Sequence, residues 1–124
     1  MATIKSYTDI EQSKKLAEIL PLESADAFYP WRELMKDYDS IYVPEEMSIS
    51  DLEEYDVCAW SLAALLDVLP TIDDGFEPQL HRSLDKYRCT YEGEEDSSGL
   101  WRVADNPVDA CVAMIEKLHE LNLL

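Results

Sequence analysis

Residues 61–69 constrain the fold most, because they are apolar on almost every side of a helix. Such a helix has to be covered on most of its surface, so we expect it at the centre of the fold. Ser61 is a suitable N-cap, and Pro70 ends the segment. One unbroken helix over residues 51–69 is an alternative, since apolar residues continue through it at helical spacing. Acidic and β-branched residues near Asp56 favour a break there.

Two further helices are predicted towards the ends of the chain. Thr8 and Glu11 have the spacing of a capping box, and a narrow apolar stripe follows, which predicts an amphipathic surface helix over residues 9–20. Near the C-terminus, Asn106 can cap a helix that has Pro107 at its first position. Its apolar face is wide enough to predict burial against a sheet.

Short alternating segments lie between these helices. Residues 80–91 and 100–103 alternate apolar and polar side chains, with a turn at 73–75 and a polar loop at 92–99. This pattern predicts an antiparallel hairpin or a three-stranded meander. We therefore predict a single α+β domain over residues 1–124, with about three helices packed on a small antiparallel sheet of two to four strands.

Regular structure is hardest to predict between the first helix and the central one. Tyr29-Pro30-Trp31 interrupts it, and residues 39–44 resemble a short strand that ends at a proline. Residues 45–56 contain six acidic side chains and no basic one, which is typical of a solvated surface. Residues 50–53 have the spacing of a second capping box, which predicts one turn of helix.

The charge of the chain restricts its partners. The 27 acidic and 10 basic residues give a net charge of −17, while 47% hydrophobic content indicates a globular chain and not a disordered acidic tail. Negative charge opposes direct nucleic-acid binding. It favours solubility first, docking of a basic protein second, and mimicry of a nucleic acid third. The acidic excess is similar in residues 1–62 and 63–124, which argues against a one-sided mimic.

The sequence gives no sign of a membrane span or a secretory signal, since no apolar run is long enough and the first residues do not resemble a signal peptide. The three cysteines form no Cys-x-x-Cys motif, and their odd number argues against a disulfide framework. We expect reduced thiols in the cytoplasm, with Cys58 and Cys111 in the core.

Catalytic motifs are absent from the sequence. Three glycines are too few for a phosphate-binding loop, and no segment has the pattern of a calcium loop. We expect no cofactor, no dedicated metal site and no catalysis. A small hydrolase that uses cysteine or carboxylates stays an alternative, with Cys89–His81 or Cys111–His119 as its cysteine–histidine pair.

Aromatic residues alternate with acids over residues 29–56. We favour the interpretation that these rings cover the central helix, and the alternative is a recognition surface, since Tyr and Trp are enriched at binding hot spots. The candidate binding residues are Tyr29, Trp31, Tyr38, Tyr42, Glu45, Glu46, Glu53 and Glu54.

Several segments are similar to a known family. Residues 60–70, 105–111 and 114–121, with 4–11 and 21–26, resemble a family of small acidic proteins widespread in gut Bacteroidetes, often on phage-like or other mobile elements. The resemblance covers about half of the chain. It implies an intracellular bacterial accessory protein, and it supplies no catalytic residue or mechanism.

These observations together predict a non-catalytic cytoplasmic accessory protein that binds another protein, preferably a basic one, through an acidic surface. The small hydrolase and the nucleic-acid mimic are the two alternatives. The apolar C-terminus at residues 121–124 either packs back onto the fold or contacts another subunit, so it is a candidate surface for self-association.

Overall fold

The computed structural model describes residues 5–72, 75–92 and 97–124. It has three α-helices, α1 (Ile10–Ala17), α2 (Leu62–Val68) and α3 (Pro107–Glu120), within these residues. The strands are β1 (Ala27–Tyr29), β2 (Trp31–Arg32), β3 (Asp37–Tyr38), β4 (Val57–Ala59), β5 (Glu77–Ser83), β6 (Lys86–Glu92) and β7 (Ser97–Ala104). Short 3₁₀ turns lie at Leu22–Ser24 and Ile49–Asp51.

The α+β class is therefore confirmed, but the strands of the described residues form three antiparallel sheets and not one. Strands β5, β6 and β7 form a meander, β1 pairs with β4, and β2 pairs with β3. Helix α3 packs on β6 and β7, α2 packs on α3, and α1 packs on β4. The helices are thus distributed over different partners.

Helix α3 begins as predicted. Asn106 Oδ1 accepts a hydrogen bond from the backbone N–H of Asp109 at 2.8 Å, and Pro107 occupies the first turn. Eight residues of this helix are buried: Pro107, Val108, Ala110, Cys111, Val112, Met114, Ile115 and Leu118. They face Cys89 and Tyr91 of β6, both fully buried in the same core. The predicted burial against a sheet is confirmed.

The predicted helix within residues 61–69 is confirmed, but it is less buried than α3 and does not lie at the centre of the fold. Ser61 caps α2 as expected, since its Oγ accepts from the N–H of Ala64 at 3.2 Å. Within the helix only Leu65 is buried, and Ala63 and Asp67 are exposed. Helix α2 has only two turns and packs against α3 on one side, so its other sides lie at the edge of the core.

The break near Asp56 is confirmed, and the alternative helix over 51–69 is wrong, because residues 57–59 form β4. This strand pairs with β1 in the register Ala27↔Ala59. The predicted second capping box is also wrong. The 3₁₀ turn Ile49–Asp51 has no side-chain cap, so backbone bonds alone close it.

The predicted strand over 39–44 is reduced to one bridge. Tyr42 N–H donates to the carbonyl of Phe28 at 2.8 Å, and Phe28 N–H donates back at 3.0 Å. Residues 43 and 44 do not pair with a strand, and Pro44 has no backbone N–H to donate to one.

Helix α1 is capped one residue later than the sequence predicts. Asp9 accepts from Gln12 N–H at 2.8 Å, and the Gln12 side chain accepts from Asp9 N–H at 3.1 Å, so the capping box is Asp9/Gln12 and not Thr8/Glu11. Thr8 is instead buried, where its Oγ1 contacts Ser13 Oγ at 2.8 Å and accepts from Trp60 N–H at 3.1 Å. The helix ends at Ala17 and not at residue 20 as predicted, and residues 18–19 form a turn.

The three-stranded meander is confirmed. Leu80 pairs with Cys89, and Thr90 pairs with Trp101, with a register shift between Thr90 and Glu92. The turn residues 73–74 and the loop residues 93–96 lie outside the described residues.

The predicted core positions of Cys58 and Cys111 are confirmed, and Cys89 is buried as well. All three thiols are free. No helix among the described residues is long and apolar enough to cross a membrane.

Candidate functional site

The β2–β3 hairpin places two of the predicted aromatic residues side by side. Trp31 pairs directly with Tyr38, and their ring centroids lie 4.9 Å apart in an edge-to-face arrangement. Four turn residues connect the strands, and Lys36 there has a φ of 52°, in the left-handed region. Pro30 separates β2 from β1, as the interruption at Tyr29-Pro30-Trp31 predicts.

Asp56 fixes a third ring against this pair. Its Oδ1 accepts from Trp31 N–H, and its Oδ2 accepts from Glu53 N–H, both at 2.9 Å. The turn that precedes β4 is thereby tied to β2, which brings the ring of Tyr55 to 6.3 Å from that of Trp31. We call Trp31, Tyr38 and Tyr55 the aromatic cluster.

The aromatic cluster is flanked by two lysines of the same chain. Lys14 Nζ of α1 lies 5.3 Å from the ring centroid of Tyr38. On the other side, Glu33 accepts from Trp31 Nε1 at 2.8 Å and forms an ion pair with Lys36. The donors from Lys36 and Trp31 hold the pKa of Glu33 below its usual value. The ring of Tyr38 therefore already contacts a cation, and the second cation, Lys36, is paired with the carboxylate beside Trp31.

A cavity of about 300 Å³ lies next to the cluster, between α1 and the segment that leads to β4. Its apolar wall consists of Ala17, Leu22, Ile49, Leu52, Val57 and Cys58. Glu53, Glu54 and Asp56 line its polar side with one cation, Lys14. We call this cavity, together with the aromatic cluster and Glu33, the acidic–aromatic face.

Two smaller cavities extend the same surface. One, of about 180 Å³, is formed by Trp31, Glu33, Lys36 and Tyr55. The other, of about 210 Å³, includes Phe28, Tyr42, Pro44, Glu46, Met47 and Leu52 in its lining. Since Leu52 lines this cavity and the 300 Å³ one, the two are neighbours.

The structure separates the predicted candidates into groups. Trp31, Tyr38, Glu53 and Glu54 come together on the acidic–aromatic face. Tyr42 packs edge-on against Phe28 at 5.4 Å and lines the 210 Å³ cavity with Glu46, while Glu45 is exposed. Whether these residues bind a partner stays a prediction.

Tyr29 lies apart from the other candidates. Its hydroxyl donates to the carbonyl of Thr8 at 2.7 Å, and burial raises its pKa, with a smaller contribution from Asp9. This bond ties β1 to the residue that precedes the N-cap of α1. Tyr29 therefore supports the fold on which the face is built.

The interpretation that the rings cover the central helix is not what the structure shows. Among the described core residues and those packed on them, none is an aromatic residue of positions 29–55. Tyr42 and Tyr55 are 55% and 60% exposed. The rings contact one another and Lys14, because the short strands that carry them pair with each other and not with a helix.

Five contributors were missed from the sequence: Lys14, Glu33, Lys36, Tyr55 and Asp56 as members of one site. Tyr55 lies within the aromatic and acidic stretch 29–56 but is not one of the candidate binding residues predicted from the sequence. Asp56 acts on a residue 25 positions away, so no local pattern marks it. The spacing of Lys14 and Lys36 gives no indication that both lie beside the aromatic cluster.

Neither cysteine–histidine pair of the hydrolase alternative is formed. His81 is exposed and contacts Gln79 at 3.1 Å, while Cys89 is fully buried and hydrogen-bonds with Cys111. The hydrogen bond to Cys89 and burial raise the pKa of Cys111, and burial raises that of Cys58. A raised pKa keeps the thiols of Cys58 and Cys111 protonated, and a protonated thiol is a poor nucleophile. Within the described part of the chain, no group of three or more His, Cys, Asp or Glu side chains could hold a metal ion.

The β5–β7 meander differs in charge from the acidic–aromatic face. Residues 77–92 and 97–104 contain four basic side chains and three acidic ones: Arg82, Lys86, Arg88, Arg102, Glu77, Asp85 and Glu92. Arg88 lies over the exposed ring of Trp101, 5.2 Å from its centroid. Residues 1–62 and 63–124 have a similar acidic excess, but the strands of this sheet are nearly balanced in charge.

Comparison of the chain with family models, with curated proteins and with solved structures found no match. The geometry of the site is thus the basis for any functional conclusion.

Proposed function

We propose that this protein is a non-catalytic accessory protein that binds a basic protein partner through the acidic–aromatic face. The observation that carries the proposal is the apolar cavity of about 300 Å³, lined on one side by Glu53 and Glu54 and adjoining half-exposed aromatic rings. Binding hot spots combine these features, since an anchor enters an apolar pocket while the polar rim selects its neighbours.

The acidic side chains supply long-range attraction. A partner with a positive surface is steered towards a face of opposite sign, which raises the association rate and weakens with salt. The hairpin tip adds apolar area, because Leu34 is 99% and Met35 is 65% exposed. Large apolar side chains at such exposure are well placed to contact a partner. The three free, buried thiols support a reducing cytoplasmic setting for this binding.

The experiment compares two charge-reversed variants of equal net charge. Glu53→Lys with Glu54→Lys alters the acidic–aromatic face, and Glu77→Lys with Asp85→Lys makes the same change on the meander. The protein is crosslinked to its neighbours in its own cells at its native expression level, and the crosslinked proteins are identified. The basic candidate among them is then purified, and its binding to each variant is measured by titration calorimetry.

We expect the Glu53/Glu54 variant to bind at least about tenfold more weakly and the Glu77/Asp85 variant to bind like the wild type. Raising the salt from about 50 to 300 mM should weaken wild-type binding, since exposed charges beyond the Debye length are screened. Equal affinity of the two variants, or binding that ignores salt, would overturn the proposal.

A further inference from the structure

The 180 Å³ cavity beside Trp31 has the chemistry of a cation site. It is formed by the indole of Trp31, the phenol of Tyr55, the carboxylate of Glu33 and the ammonium of Lys36. Glu33 is held in place by the 2.8 Å bond from Trp31 Nε1, and Lys36 is the cation that pairs with it. Aromatic rings beside a carboxylate are the side chains with which proteins hold ammonium and guanidinium groups.

We propose that this cavity binds an arginine side chain of the partner, and that Lys36 is a built-in competitor that the arginine displaces. The inference rests on the proposed function, because it names the partner group that the acidic–aromatic face takes. A planar guanidinium can stack on the indole and donate two hydrogen bonds to the Glu33 carboxylate at once, whereas the ammonium of Lys36 offers only a point charge.

Lys36 is poorly fixed in its present position. Its side chain is 70% exposed, and it belongs to a four-residue turn whose other tip residues, Leu34 and Met35, are largely exposed too. An ion pair between exposed side chains contributes little to stability, so breaking it costs little. The competitor can therefore leave without disturbing the pairing of Trp31 with Tyr38.

The charge around the cavity attracts a cation from the partner. Asp56 and Glu53 are joined by a hydrogen bond next to Tyr55, and Glu54 lies beside them on the neighbouring cavity. Once Lys36 has moved into solvent, the carboxylate of Glu33 is left without its cation. An arginine then restores the balance of charge that Lys36 provided.

The probe for this site is a short peptide, acetyl-Ala-Ala-Arg-Ala-Ala-amide, compared with the same peptide containing citrulline. Citrulline has nearly the same shape as arginine and carries no charge. Binding is followed at low salt by the NMR resonances of the Trp31 indole N–H and the Tyr55 ring. We expect the arginine peptide to shift both and to bind about tenfold more tightly than the citrulline peptide.

Two matched pairs of variants test the site. Trp31→Ala should abolish the arginine-specific binding. Trp101→Ala removes an exposed ring on the meander that lies beside Arg88, and it should leave the binding unchanged. Lys36→Met should tighten binding about threefold or more, since it removes the competitor. Lys15→Met on α1 makes the same change in net charge and should have a smaller effect.

Because Trp31→Ala also removes a packing contact, Glu33→Gln is a second variant that keeps the rings and should weaken binding of the arginine peptide. Equal effects of Lys36→Met and Lys15→Met would overturn the role of Lys36 as a competitor. Equal effects of Trp31→Ala and Trp101→Ala would overturn the assignment of the arginine site to this cavity. Either result leaves intact a partner that depends on Glu53 and Glu54, so failure of this inference is distinguishable from failure of the proposed function.

Discussion

The two parts of the molecule combine apolar burial and polar bonds in different proportions. The meander half, which we define as β5–β7 and α3, is stabilised by burial of apolar side chains such as Tyr91, Ile115 and Leu118. The short-strand half, residues 5–61, also buries apolar side chains such as Leu16 and Trp60, and several of its polar side chains bond to distant backbone groups. Thr8 accepts from Trp60, and Asp26 accepts from Ser61 N–H at 2.8 Å.

This difference explains where the candidate site lies. Burial of a wide apolar helix face on a sheet leaves few exposed grooves, and the meander half shows Arg88 and Trp101 already in contact. Short strands joined by single polar bonds leave aromatic rings partly exposed and cavities between segments. The acidic–aromatic face is thus a consequence of how the short-strand half is built.

The largest expected effect tests this contrast with one substitution made in each half. Leu118→Ala removes a fully buried side chain of α3 and should lower the free energy of unfolding by about 2–5 kcal/mol. Leu34→Ala, at the hairpin tip, should change it by less than about 0.5 kcal/mol. Urea unfolding followed by circular dichroism measures both. A cost for Leu34→Ala close to that for Leu118→Ala would show that the hairpin tip is buried in solution.

The sequence predicts the meander half well because its determinants are local. The Asn106-Pro107 cap and the alternation over residues 80–91 each act within a few positions, so periodicity and capping rules apply. The main error was to predict that residues 61–69 form the most buried helix. Residues 61–69 are more apolar than their burial requires, and composition does not tell how many sides of a helix are covered.

The short-strand half was less predictable for a physical reason. Trp60 lies 52 positions from Thr8, and Trp31 lies 25 from Asp56, so the bonds that shape this half connect residues with no periodic relation. Composition identified Trp31 and Tyr38 as candidates, since alternating aromatics and acids are visible in sequence. It could not identify Lys36, whose role depends on a turn that places it beside Glu33.

An intermediate effect is expected from replacing one buried threonine in each half. Thr8→Val removes the acceptor of Trp60 N–H, which is buried, and should cost about 1–3 kcal/mol because that donor is left without this partner. Thr90→Val removes only a donor to the carbonyl of Leu100, at 3.2 Å, and should cost about 0.5–1.5 kcal/mol. Urea unfolding of the two variants compares these costs. A larger cost for Thr90→Val would contradict the idea that polar bonds matter more in the short-strand half.

The smallest expected effect concerns the polar link between the two halves. Asp109 Oδ1, in the first turn of α3, accepts from Lys5 Nζ at 2.9 Å and from Gln12 Nε2 at 2.8 Å. Partial burial alone would raise the pKa of Asp109, but the hydrogen bonds from Gln12, Lys5 and Asn106 outweigh it and lower the pKa below its usual value. Partial burial also opposes the charge of Lys5, while its bonds to Asp109 and Asp9 raise its pKa above 10.5.

These two shifts give a sign for the pH dependence. A carboxyl whose pKa is lowered by folding stabilises the protein above about pH 4 and loses that contribution as the pH falls through its folded value. The raised pKa of Lys5 stabilises the protein below pH 10.5, and this contribution is lost as the pH rises through the folded value.

Asp109→Asn should therefore lower stability modestly at neutral pH, and its deficit should shrink below pH 4. Asp85→Asn, an exposed position in the β5–β6 turn, makes the same change in charge and is the control. Urea unfolding at pH 2.5, 7 and 11 compares the variants with the wild type. A deficit for Asp109→Asn that stays the same at pH 2.5, or that equals the deficit for Asp85→Asn at pH 7, would show that this link does not join the two halves.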